Sequence, residues 1–80
     1  MHELSIATSI VEIASEEAAR HSGRVEAVHL RVGAMSGVVK EALEFSWELA
    51  CAETAIQGAR LEIEEAEGTE LQVTALELVE

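Results

Sequence analysis

The chain has 80 residues, room for one domain that buries about 60–65% of its unfolded surface. An apolar content of 49% is that of a packed domain, and no apolar run approaches the ~18 residues of a membrane span. A net charge of −11, from 16 glutamates against four arginines and one lysine, repels nucleic acid and suits cations, a basic partner or a well-solvated surface.

The opening Met1-His2-Glu3 places a free amine, an imidazole and helix-initial amides within one turn. The amine, the amide nitrogen of residue 2 and the His2 imidazole can close fused chelate rings, and the Glu3 amide can supply a fourth nitrogen. Four nitrogens in a plane suit Ni(II) or Cu(II) better than Zn(II). The first N–H groups of a helix lack intrahelical acceptors, so they are free to give up protons to a metal. Such binding strengthens as pH rises. The opening also lacks the basic and apolar regions of a signal peptide, so a cytoplasmic protein is expected.

Leu4 to about Arg20 carries apolar residues at Leu4, Ile6, Ala7, Ile10, Val11, Ile13, Ala14 and Ala18, a stripe broad enough to pack on a sheet. Gly23 is the expected stop. Arg24 to Val32 alternates as a half-buried strand, with Val28, Leu30 and Val32 on one face and Ala27, His29 and Arg31 on the other. Gly33 to Gly37 connects to a second helix over Val38 to about Ala52, with Ser36 or Gly37 near its N-cap. Its expected core face is Val39, Ala42, Leu43, Ser46, Leu49 and Ala50, flanked by Phe45 and Trp47. Glu41, Glu44 and Glu48 read as a solvated stripe, and Cys51 as a bystander on the polar side.

After a loop at 53–58, Arg60 to Glu65 alternates again. Ala66-Glu67-Gly68-Thr69 is expected to turn the chain into a hairpin with a last strand, Glu70 to Val79. In that strand Leu71, Val73 and Ala75 share one face and Leu76 and Leu78 the other, which predicts a bulge near Ala75 or cover by another chain. The fold class expected is α+β: two helices on one face of a three-stranded mixed sheet, in the order helix, strand, helix, strand, strand. A homodimer through the last strand is a further expectation. A lone Cys51 excludes an intrachain disulfide and a cysteine-rich zinc site. His21 and His29 read as surface residues and Met35 as packing filler. No nucleophile-base constellation or phosphate loop occurs, so an enzyme is not expected.

The opening MHELSIATSIVEI, the middle LRVGAMSGVVKEALEFSWELA and the closing GARLEIEE and ELQVTALELVE together resemble the HypA/HybF family. Members are nickel metallochaperones for [NiFe] hydrogenase and, in some organisms, urease. The resemblance implies Ni(II) held at Met1, His2 and Glu3. It implies a HypB-type GTPase, the hydrogenase large-subunit precursor and, where urease is served, urease accessory proteins as partners. It also marks a departure: the family carries a zinc domain with two CxxC motifs where this chain has only Ala66-Glu67-Gly68-Thr69. Residues 1–80 thus read as a single nickel-binding domain without structural zinc. The alternative is a protein-interaction or dimerisation module that only docks onto the GTPase, with His2 incidental.

Overall fold

The computed structural model describes residues 3–79. Its elements follow the expected order: α1 (Glu3–His21), β1 (Arg24–Gly33), α2 (Lys40–Cys51), β2 (Arg60–Ala66) and β3 (Leu71–Val79). Both helices and the sheet contribute to one apolar core, in which Ala7, Ile10, Val11 and Ala14 of α1 meet Val28 and Leu30 of β1 and Leu43 and Trp47 of α2. Ser22 takes the left-handed position after α1 (φ 53°), one residue before the expected glycine.

The strand order is β2-β1-β3, so the expected hairpin between the last two strands is not formed. β1 runs parallel to β2 and antiparallel to β3, with His29 paired to Glu62 on one side and to Ala75 on the other. The reason lies in composition. β1 alone buries Val25, Ala27, Val28, Leu30 and Val32, so the centre of the sheet suits it. β2 and β3 alternate with solvated glutamates and glutamine, which suits edges. The parallel β1–β2 pair needs a crossover, and α2 supplies it.

Two bulges tune which side chains reach the core. On β3 the register steps from Ala75 to Val73 across His29 and Leu30, leaving Thr74 as the extra residue. The bulge near Ala75 is therefore present, and it lets Val73, Leu76 and Leu78 all pack against the core. On β1 Glu26 is the extra residue between Val25 and Ala27, which returns Val25 to the core side. On the opposite face an Arg60–Glu77 ion pair of 3.5 Å joins the two residues that flank the fully buried Ala27.

Helix α2 departs most from expectation. Leu43, Ser46, Trp47 and Cys51 are its buried residues, whereas Val39, Phe45 and Leu49 are exposed. Cys51 is thus a core residue rather than a polar-side bystander, because the chain after α2 folds back and seats Ile56 completely inside. Trp47 donates its indole N–H to the Ala59 carbonyl at 2.9 Å, which fixes that return. Met35 stands in solvent and fills no gap in the core.

Candidate functional site

β1 ends where both helices begin, so one end of the molecule gathers Glu3, the Gly33–Met35 backbone, the start of α2 and the β2–β3 connection. The N-cap of α2 is Val39, neither Ser36 nor Gly37, and Val39 offers no capping side chain. A carboxylate from α1 contributes there: Glu3 Oε2 accepts the N–H of the cap residue Val39 itself at 3.3 Å. Ser36 Oγ accepts the Val38 N–H at 3.2 Å just before it. Two helix N-termini are positive dipole ends, so a carboxylate between them is well placed.

The β2–β3 connection crosses the end of β1 in backbone contact. The amides of Gly33, Ala34 and Met35 donate to the carbonyls of Glu70, Ala66 and Gly68 at 2.6, 2.8 and 2.7 Å. A Cβ on Gly33 would collide with the Gly68 carbonyl and lie 2.7 Å from the Glu70 nitrogen. Only glycine permits so close a crossing. Lys40 Nζ adds an ion pair to Glu65 at 3.5 Å beside it.

Of the three expected metal residues, Glu3 lies at this end, and Met1 and His2 lie outside the described residues. Among the described residues no group of three or more His, Cys and Glu side chains could hold a metal ion.

The remaining candidates are otherwise engaged. His29 Nε2 lies 2.6 Å from Glu77 Oε2 on the open sheet face, and His21 lies 3.5 Å from Glu17. Arg60 hydrogen-bonds Glu62 and lies near Glu77 and Glu26, contacts that raise its pKa further. Burial pushes the Cys51 thiol up to about 11, so it is neutral and no thiolate ligand. The bond from Val39 to Glu3 was missed in the sequence, where its signal was the lack of a capping side chain at Val39.

A family model described as "Hydrogenase/urease nickel incorporation, metallochaperone, hypA" matches residues 1–77. Hydrogenase maturation factor HypA of Roseiflexus sp. (strain RS-1) is 61% identical over 66 residues, covering 81% of this chain and 54% of that protein. Its namesake in Chloroflexus aurantiacus (strain ATCC 29366 / DSM 635 / J-10-fl) is 56% identical over 66 residues, covering 81% and 58%. The chain spans about half the length of the curated relatives it matches. The solution structure of the Ni metallochaperone HypA from Helicobacter pylori shares the fold with a TM-score of 0.72 at 16% identity, covering 100% of this chain and 95% of that one. A solution structure of HypA protein reaches 0.83 at 18% identity, covering 99% and 97%.

Proposed function

The chain belongs to the HypA family of hydrogenase and urease nickel-incorporation metallochaperones, and from that premise we propose that it binds Ni(II) through Met1, His2 and Glu3 and delivers it for nickel-enzyme maturation. The observation that carries this reading is that the family match starts at residue 1 and so includes the Met-His-Glu opening. The amine, the His2 imidazole and the amides of residues 2 and 3 supply the square plane. The Glu3 carboxylate offsets the cation's charge at the positive end of the helix dipole.

The protein acts as a carrier and needs no catalytic group. The site must load tightly yet release to a partner, and a helix terminus suits both, since its first turn opens at low cost. The receiving proteins on this reading are a HypB-type GTPase and the hydrogenase large-subunit precursor, in the cytoplasm. The turn at 66–69 stands where relatives of this family place their zinc domain, so the chain works as a nickel domain without structural zinc.

A Ni(II) titration of the untagged protein near neutral pH, followed by absorption and calorimetry, tests the chelate. Stoichiometric binding with a diamagnetic square-planar spectrum is expected, strengthening as pH rises. His2→Ala and N-terminal acetylation should each abolish it. Binding indifferent to both changes would remove the N-terminal site and leave a docking module.

A further inference from the structure

Helix α2 presents two large apolar side chains to solvent, Phe45 at 74% and Leu49 at 60% exposure. They are one helical turn apart and therefore adjacent on the surface. By the same spacing Phe45 has Ala42 and Leu49 on one flank and Glu41 and Glu48 on the other, with Glu44 extending the acidic side. All three glutamates are exposed, and among the described residues none of their carboxylates makes a hydrogen bond or ion pair. The nearest cation in sequence, Lys40, is turned to Glu65. Arg20, Arg31 and Arg60 are engaged by other glutamates. The core needs neither Phe45 nor Leu49, since Leu43, Ser46, Trp47 and Cys51 fill it from the opposite face. The fold thus leaves one helix face that is both apolar and uncompensated in charge.

We propose that this outer face of α2 docks a cationic, apolar-faced segment of a partner protein, with Phe45 and Leu49 in its apolar surface and Glu41, Glu44 and Glu48 paired to its lysines or arginines. Charge decides the occupant. A second copy related by a two-fold axis would set these carboxylates against their own counterparts in a chain of net charge −11. Nucleic acid and anionic bilayers are repelled in the same way. A basic protein segment gains from both halves of the patch, the apolar pair holding it and the glutamates steering it. The proposal does not depend on nickel binding.

The test uses the full chain and a synthetic amphipathic peptide, leucine on one face and lysine on the other, at near-physiological salt. Backbone amide shifts by NMR should centre on residues 41–49, and calorimetric affinity should fall as salt is added. Phe45→Ser with Leu49→Ser, at unchanged melting temperature, should weaken binding at least ~10-fold. Glu41→Gln, Glu44→Gln and Glu48→Gln together should weaken it about 10-fold and flatten the salt dependence. Glu12→Gln with Glu16→Gln, on α1, should change nothing. Equal losses in the α1 variant, or equal binding of a lysine peptide without leucine, would reduce the effect to general attraction and overturn the proposal. So would a dimeric parent protein that Phe45→Ser converts to monomer, since the patch would then be occupied by its own copy.

Discussion

The two ends of the sheet are closed by opposite means. Where β1 finishes, backbone meets backbone: three amides of Gly33–Met35 hold the crossing chain, and a carboxylate from α1 accepts the N–H of the cap residue of α2. The side chains there, Ala34, Met35, Glu67 and Thr69, are exposed. Where α2 runs into β2, side chains do the closing. Ile56 is fully buried, Cys51 nearly so, and Trp47 donates to Ala59. A backbone-closed end tolerates changed side chains but not a changed glycine. A side-chain-closed end tolerates neither truncation nor charge. Glu3, the described residue of the proposed nickel motif, lies at the first kind of end, where exposed side chains can vary without loss of the core.

Four measurements would break or sharpen that contrast. The largest effect is expected from Gly33→Val, which forces a side chain into backbone that has nowhere to go. We expect a loss of more than ~4 kcal/mol by denaturant unfolding, and a neutral result would show that the crossing does not close its end. Next comes Ile56→Ala, at about 2–5 kcal/mol with an unchanged denaturant slope. A loss below ~1 kcal/mol would mean the opposite end is not held by side chains.

The third measurement concerns Cys51. Its folded pKa of about 11 lies above the ordinary thiol value of 9.0, so the folded state holds its proton more firmly. The stability this contributes is complete below pH ~9 and is lost as pH rises through about 11, by up to ~2.7 kcal/mol. Cys51→Ala should flatten that part of the pH profile, and a thiol reagent should label the native protein only at the rate of opening. Smallest of all, Glu67→Ala and Thr69→Ala should each stay within ~0.5 kcal/mol. Larger losses would show that the crossing depends on side chains after all.

Much of this was legible in the residues themselves. Alternation placed β1, β2 and β3, the apolar stripe placed α1, and the change of face after Ala75 predicted the bulge now seen at Thr74. Strand order was not legible in the same way, because alternation says which face a side chain takes and nothing about which strand lies beside it. The contrast between an apolar β1 and glutamate-laced β2 and β3 did carry the answer. Cys51 and Ile56 were misjudged or overlooked because their burial comes from the chain folding back at 52–59, which no helical wheel contains. The tie at the cap of α2 was missed for a similar reason. Its donor and acceptor are separated by 36 positions, from Glu3 to Val39. At the candidate site the tie from Glu3 to α2 could not be read from the sequence.

The central position of β1 also bears on how the chain folds during synthesis. Its two edges are filled by strands that begin at Arg60 and Leu71, and its first residue, Arg24, pairs with Val79. Both ladders therefore close over long sequence separations, which slows folding relative to a hairpin-built sheet. A growing chain carries β1 with both edges bare until β2 emerges and with one bare until β3 follows. β1 is thus synthesised well before its sheet can be completed.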